Sequence, residues 1–476
     1  MTVKEADLPM MLDAREARQH RQKELQAQYG LPLLCFSMNI AGPIKRTPAI
    51  LLAHRYGREA IEVILGQPIY KEEINDATGC ETYFIYDKPA EEIKEAAVAV
   101  EEGRPIGRLF DMDVLMIDGE KLSRSNPRKC LVCGGPAFAC ARNRAHGLDA
   151  VRQATQEILT DFACGYLGQK ASDSLLAEAR FSPKPGLVDS NNSGAHKDMD
   201  LAMLKTSAKA LTPFFAKAVR AGATTPLSSC FEDLVSIGKR AEAAMFAATG
   251  GVNTHKGAIY NFLIMLGAFG HILHRGGNLF EVSRVLAKED KRVISGTHGA
   301  GVAAKYGAPG MRQQALEGFP HVRRGLAIME QYGPYAVLLD LFTNLTDTNV
   351  LHRGGPAALA YVKESSQKAL DALWPIGSFN LINTDAPATA ITADGTIDKK
   401  AVSTSIEAAT EKTSPTLMAT VAEAVSTSGK AVTAKASTAT DPTSLLLAMD
   451  EEYISRNISP GGAADLFAMV LFISAL

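Results

Sequence analysis

Apolar and polar positions along this 476-residue chain follow two different rhythms, and the change falls near residue 165. Residues 13–29 are charged and helix-prone. They lead into an apolar run over 31–38, with further β-rich runs at 82–86 and 109–117 and an Ala/Val/Glu helix between these two. Leu148, Val151, Thr155, Ile158 and Phe162 recur at helical spacing, which predicts an amphipathic helix bridging two modules. Beyond it come Ala/Leu-rich helical stretches at 199–219, 232–249, 257–274, 323–346 and 356–373, parted by loops of Gly, Asn, His and Asp. The expected architecture is two-domain: a mixed α/β module over 1–165, then a larger all-α module over 166–476 with its chemistry on the interhelical loops. Over 384–440 more than half the residues are Ala, Ser or Thr, so a solvated, partly disordered insertion is expected before a helix resumes at 442–454. No internal repeat is evident.

Length supports this division, because domains typically hold ~100–200 residues. Composition is 46% hydrophobic and 21% charged, enough apolar surface for ordinary cores. The 50 basic and 52 acidic side chains leave a net charge of −2, which argues against a protein that coats nucleic acid or an anionic membrane. The opening residues carry acids and lack the apolar centre of a secretory signal. The apolar run at 466–476 falls short of the ~20 residues that span a bilayer and reads as a buried terminal helix. An odd count of seven cysteines fits a reducing cytoplasm better than a disulfide framework.

In the first module, Asp111 and Asp113 lie two apart in a β-rich run, so both carboxylates fall on one face of a strand. Such a pair can hold Mg²⁺ on a polyphosphate, and Arg104, Arg108, Arg124, Arg128 and Lys129 nearby suit phosphate. A solvated pair of acids at a strand end is the plainer alternative. Residues 39–45 form a Gly-Pro turn that could present amides and Lys45 to a phosphate, or be a turn alone. Cys130, Cys133, Cys140 and His146 have ligand types and spacing compatible with structural zinc. Their later spacings are irregular, however, and buried free thiols are the preferred reading.

In the second module, residues 182–200 pack two prolines, two glycines, three acids, two lysines and a histidine into a loop that suits a substrate better than a core. Thr249-Gly250-Gly251-Val252-Asn253-Thr254-His255-Lys256-Gly257 sits between two helices, where glycines, a helix N-terminus and Lys256 favour an anion. Polar loops recur at 297–299, at 347–355 and at 459–465, and together they point to one convergent site.

Two resemblances follow from these strings. Leu12-Asp13-Ala14-Arg15-Glu16, Asn39-Ile40-Ala41-Gly42-Pro43, Arg108-Leu109-Phe110-Asp111-Met112-Asp113-Val114 and Arg128-Lys129-Cys130-Leu131-Val132-Cys133 through Cys140-Ala141-Arg142 resemble the apo-citrate lyase phosphoribosyl-dephospho-CoA transferases over most of 10–147. Ala41 stands where that family's pattern more usually has Pro. The resemblance implies a nucleotidyltransferase-like module. It would attach a phosphoribosyl-dephospho-CoA group to a serine of the citrate lyase acyl carrier protein, releasing pyrophosphate. The loops of the second module resemble the triphosphoribosyl-dephospho-CoA synthases from about 175 to the end, outside 384–440. That resemblance implies condensation of ATP with 3′-dephospho-CoA to 2′-(5″-triphosphoribosyl)-3′-dephospho-CoA with loss of adenine. Its product is the donor the first module consumes.

Glycosyl transfer passes through an oxocarbenium-like state that carboxylates stabilise and an acid assists. The expected carboxylates for sugar or Mg²⁺ are Asp189, Asp198 and Asp347, with His196 or His255 protonating adenine. Lys184, Lys256 and Arg353 would hold phosphates. Gly186, Asn253, Thr254, Asn349, Gly354, Gly355, Ser459, Gly461 and Gly462 complete the expected binding loops. Rival readings are the same assembly for malonate decarboxylase, an all-α Mg²⁺-dependent hydrolase of nucleotide N-glycosides, and a zinc-based binding module at 130–146. The last would not bind nucleic acid, because an aromatic-basic stripe is missing.

Overall fold

The computed structural model of the chain describes residues 2–124, 126–292, 301–302, 305–374 and 442–476. The expected insertion at 384–440 and the loop at 297–299 lie outside the described residues. The chain divides into two compact units, Met1–Tyr166 with Gly270–Gly277, and Leu167–Phe269 with Asn278–Leu476.

The first unit opens with α1 (Leu8–Tyr29), whose N-terminus is capped by the Asp7 side chain accepting from Met10 N. Gly30 ends it in the left-handed region at φ 62°. There follow β1 (Leu33–Met38), α2 (Pro48–Leu65), β2 (Tyr70–Asp76), β3 (Gly79–Ile85), α3 (Ala90–Gly103), β4 (Phe110–Leu115), α4 (Ala137–Arg142) and α5 (Leu148–Arg180). The strands form one antiparallel sheet in the order β2-β3-β1-β4. Strand β2 and helix α2 go beyond the sequence expectation. β2 is an edge strand with alternating exposure (Tyr70-Lys-Glu-Glu-Ile-Asn-Asp), so its period-2 signal is carried mostly by polar residues.

Register decides which side chains share a face. Leu34 pairs with Val114 and Phe36 with Met112, and Phe36 stacks on His54 of α2 at 4.6 Å between ring centres. Gly57 lets α2 approach this closely, because a Cβ there would sit 2.5 Å from Phe36 Cζ. On the opposite face Leu33, Cys35, Tyr83 and Ile85 pack with Leu25 of α1. Asp111 pairs with Ser37 and Asp113 with Cys35, so both acids lie on the α1 side of β4.

In the second unit the described residues carry helices and no strand. The C-terminal half of α5 is followed by α6 (Leu201–Thr224), α7 (Leu227–Ala248), α8 (Lys256–Arg275) and α9 (Leu279–Lys288). Next come α10 (Met311–Leu316), α11 (Pro320–Tyr332), α12 (Pro334–Asn344), α13 (Thr348–Leu373), α14 (Pro442–Ser455) and α15 (Gly461–Ser474). The helical stretch expected over 323–346 is two helices, broken at Gly333 (φ 78°) just before Pro334. Conversely, the helix expected from 356 begins at Thr348 and bends where Gly355 (φ 68°) precedes Pro356.

Helix α8 is long and apolar enough to cross a membrane by composition, but 78% of its most apolar window is buried. Its apolar side chains serve a core: Phe262 meets Phe215 at 5.4 Å and Phe472 at 5.6 Å. Gly222 and Gly267 let α6 and α8 cross closely, since a Cβ on Gly222 would lie 1.9 Å from Gly267 O. The expected terminal apolar helix is α15, and its side chains from Leu466 to Met469 are fully buried.

Candidate functional site

Helices α8, α13 and α15 of the second unit all open onto one cavity of about 790 Å³, presenting Lys256 and Gly257, Thr348 and Asn349, and Gly461 and Gly462. Such a volume suits a nucleotide. Helix N-termini carry unpaired amides and partial positive charge, so their convergence creates an anion-friendly pole. The two terminal glycines are required for closeness. A Cβ on Gly461 would meet Asn349 Nδ2 at 2.7 Å, and one on Gly462 would meet Asp347 Oδ2 at 3.0 Å.

Carboxylates tie these termini together. Asp347 Oδ1 accepts from Asn349 N (2.8 Å) and Val350 N (3.2 Å), while Oδ2 accepts from Ala463 N (3.0 Å). One buried acid therefore caps α13 and α15 at once. Asp465, the last residue of the expected loop at 459–465 but given no role there, lines the cavity beside the start of α8, where a Cβ on Gly257 would sit 2.1 Å from its Oδ2. Burial, with the neighbouring charges of Glu178 and Asp347, pushes its carboxyl well above the usual range.

The loop over 182–200 is an internally bonded frame. Asp189 accepts from Ser182 Oγ (2.8 Å), Lys184 N (3.0 Å), Asn191 N (2.6 Å) and Asn192 N (2.9 Å), so both its oxygens are engaged by the loop. Asp450 of α14 accepts from Gly186 N (2.8 Å) and Asn192 Nδ2 (2.7 Å). Gly186 has φ 73°, and a Cβ there would lie 2.3 Å from Ile458 O. The buried Lys184 ammonium donates to Glu178 O (2.8 Å) and to the Glu178 carboxylate. It is held by protein rather than offered to a phosphate. Burial raises the Glu178 pKa even beside this lysine.

The two histidines differ in what remains available. His196 Nδ1 accepts from Arg353 Nη2 (3.1 Å), which assigns its proton to Nε2, where it donates to Ser459 Oγ (2.7 Å). Arg353 also donates to Ala195 O (2.9 Å) and Asn457 Oδ1 (3.0 Å), so it braces the loop. His255 is 4% exposed and its Nδ1 lies 2.7 Å from Ser207 Oγ, which itself accepts from Thr254 Oγ1 at 2.7 Å. With Ser207 Oγ accepting from Thr254, its own proton is available to Nδ1, the tautomer in which Nε2 carries the hydrogen. His255 Nε2 is buried without a hydrogen-bond partner among the described residues. Burial holds both rings neutral, at about 4, with Arg353 adding to the effect on His196 and Lys184 on His255.

Other predicted residues sit at the margin. Asp198 is exposed, 3.8 Å from His196 Nδ1, and does not line the cavity. Asn253 Oδ1 accepts from Lys256 N (3.3 Å), and Lys256 pairs with Glu242 at 3.0 Å. Gly354 and Gly355 lie at the bend of α13. Arg292 and Arg312 line the cavity and had no motif to reveal them. Asp290 orients both, accepting from Arg292 Nε (2.7 Å) and Nη2 (2.9 Å) and lying 3.4 Å from Arg312 Nε. Lys239 joins them, and Phe231, Leu234, Phe246 and Leu263 supply apolar wall.

The first unit has its own cavity, about 1470 Å³, lined by Arg104, Arg108, Arg124, Arg128 and Lys129 together with Asn39 and Glu101. Arg128 Nη2 donates to Asp111 Oδ1 (2.9 Å) and to Glu101 Oε1 (2.6 Å). Asp113 pairs with Lys121. Glu101, which no motif singled out, is buried with a raised pKa and also accepts from Met112 N (2.9 Å). Lys45 donates to Ile40 O (2.6 Å), closing its own turn, and does not line the cavity. Arg108 Nη2 donates to Cys130 O (2.6 Å). The preferred reading of 130–146 as buried thiols needs correction: Cys133 is exposed and Cys140 partly so, because this segment packs few apolar side chains over them.

Comparison with known proteins matches residues 6–162 to the apo-citrate lyase phosphoribosyl-dephospho-CoA transferases. Residues 164–392 and 418–476 match the ATP:dephospho-CoA triphosphoribosyl transferases, so the second match resumes within the expected insertion. The chain is 34% identical over 401 residues to the CitXG protein of Haemophilus influenzae, covering 76% of this chain and 86% of that protein. It is 30% identical over 406 residues to the CitXG protein of Leuconostoc mesenteroides, covering 74% and 85%. A 2-(5″-triphosphoribosyl)-3′-dephosphocoenzyme-A synthase of Haemophilus ducreyi is 30% identical over 383 residues, covering 72% of this chain and 99% of that enzyme. The chain therefore belongs to the bifunctional transferases of citrate lyase prosthetic-group assembly, with an apo-citrate lyase phosphoribosyl-dephospho-CoA transferase followed by an ATP:dephospho-CoA triphosphoribosyl transferase.

Proposed function

We propose that the 790 Å³ cavity takes ATP and 3′-dephospho-CoA and that His255 and Asp465 act on the departing adenine. The observation that carries this is His255 Nε2, buried on the cavity wall without a hydrogen-bond partner among the described residues. A neutral imidazole offers a hydrogen bond to a base nitrogen without adding charge. Asp465, whose carboxyl burial pushes well above the usual range, is the acid. The ribose C1″–N bond breaks with its electron pair going to adenine, which takes the Asp465 proton. The 2′-hydroxyl of dephospho-CoA bonds to C1″, and its proton restores the acid. Lys239, Arg292 and Arg312 suit the triphosphate. Mg²⁺ carried by that triphosphate would lower its charge.

In the first unit the basic cavity fits the triphosphoribosyl donor, and Arg128, Arg108 and Lys129 face its phosphates. Asp111 and Asp113 share one face and could hold Mg²⁺ once released from Arg128 and Lys121. The acyl carrier protein of citrate lyase supplies the serine nucleophile, so none is needed here. The seven cysteines, none in a disulfide, suit a cytoplasmic setting, where both nucleotides are found.

The test is adenine release from ATP with and without 3′-dephospho-CoA, followed by the mass of the carrier protein. Release that requires dephospho-CoA, then a carrier mass gain, is expected. Release independent of dephospho-CoA would replace this reading with N-glycoside hydrolysis.

A further inference from the structure

We propose that Cys130, Cys133, Cys140 and His146 form a structural zinc site in the first unit. Their ligand atoms all lie within 4.8 Å of one another. Cys133 Sγ and Cys140 Sγ are 3.5 Å apart. Two thiolates on a tetrahedral zinc, with Zn–S bonds of about 2.3 Å, sit roughly 3.8 Å apart, so the cluster has the size of an occupied tetrahedron.

A second observation points the same way. His146 Nε2 is buried and has no hydrogen-bond partner among the described residues. A ring nitrogen removed from water and left unpaired is costly, and a metal bond would satisfy it. The backbone also prepares the site. Cys130 N donates to Gly135 O (2.6 Å) and Gly134 N donates to Cys130 O (3.0 Å), folding residues 130–135 into a tight knuckle. Gly134 takes φ 74° at its tip, a conformation that favours glycine. α4 then brings back Cys140, and Ala145 N donating to Cys140 O (3.0 Å) turns the chain so that His146 faces the thiols.

The segment needs such a fastening. α4 buries none of its residues, and among the described residues from 116 to 147 Cys130 alone belongs to the buried apolar set. A closed site of three thiolates and one imidazole would supply the missing cohesion, and that donor set selects zinc over magnesium or calcium. The fastening has a functional address. Arg128 and Lys129 immediately precede the first ligand, Arg108 donates to Cys130 O, and all three line the basic cavity. Zinc would thus hold the phosphate-facing arginines against β4. This role concerns the first unit and leaves the adenine chemistry of the second untouched.

The deciding experiment measures metal in the full-length chain, purified under reducing conditions without chelator. About one zinc per chain is expected, and Cys133→Ser or His146→Ala should each lower it several-fold. Cys230→Ala, at a buried cysteine outside the cluster, should keep its zinc. Cobalt substitution gives an independent reading: tetrahedral thiolate ligation produces visible bands that Cys133→Ser would weaken. Adenine release checks that the second unit of each variant is intact, and it should stay at the wild-type level while carrier modification falls. Metal-free wild-type protein, zinc retained in the Cys133→Ser and His146→Ala variants, or a Cys133–Cys140 disulfide in its place would each overturn the site. None of those outcomes bears on whether the cavities perform the two transfers.

Discussion

Asp347 Oδ2 accepts the amide of Ala463 at 3.0 Å while its other oxygen caps the helix that begins at Thr348. Residues 116 apart in sequence are joined by one carboxylate, and the two helix starts it joins face the same cavity. Replacing Asp347 by Ala should lower the second unit's stability by about 2–3 kcal/mol, the sum of two lost caps. Adenine release should fall with it. Thermal melts of the full chain would show a shifted second-unit transition, with that of the first unit unmoved.

His255→Gln and Asp465→Asn should separate hydrogen bonding from proton supply. Loss of a positioned acid typically costs about 10²–10⁴-fold in rate, so Asp465→Asn should lower kcat for adenine release within that range. His255→Gln keeps a donor in place of Nε2–H and should lose less. Steady-state kinetics of both variants would decide it. Equal, small losses would remove Asp465 from the chemistry.

pH gives a test for His255 on stability. Its pKa is depressed from 6.5 to about 4 by burial, so the unfolded chain binds the proton more readily. The stabilisation is therefore full above pH 6.5 and drains away as pH falls toward 4, by about 3 kcal/mol in all. The stability difference between wild type and His255→Gln should shrink over that window. Denaturant titrations at several pH values would read it, and comparison with the variant cancels the opposing buried carboxyls Glu178 and Asp465.

Arg128→Ala should strip the first unit of the group bridging Glu101 and Asp111, and leave the buried Glu101 carboxylate with Arg124, 3.5 Å away, as its remaining ion-pair partner. Transfer to the carrier should drop at least tenfold by mass spectrometry, while adenine release continues unchanged. Glu101→Gln tests the same link from the other side and should be milder, because burial already raises the pKa of that acid.

Much of this was legible in the chain itself. Apolar periodicity predicted most of the long helices of the second unit, though not α9 or α10 or the break between α11 and α12, and strings such as the one around Asp111 and Asp113 carried the family resemblance, since both depend only on local order. The shared face of Asp111 and Asp113 follows from the period of a strand and agrees with the register against Ser37 and Cys35. What sequence could not supply was the partner of each polar group. Lys184 and Arg353 read as phosphate ligands because they are cations in polar loops, yet folding turns them onto Glu178 and His196. Asp189 read as a sugar-facing carboxylate, and the chain's own amides fill its oxygens. Glu101, Arg292 and Arg312 carried no local signal, because their importance arises from distant residues meeting around a cavity. Composition and spacing thus determined the elements and the family. Only tertiary structure decided which side chains brace the loops and which, like His255 Nε2, have no partner among the described residues, because burial and hydrogen bonding are fixed by contacts that linear order does not contain.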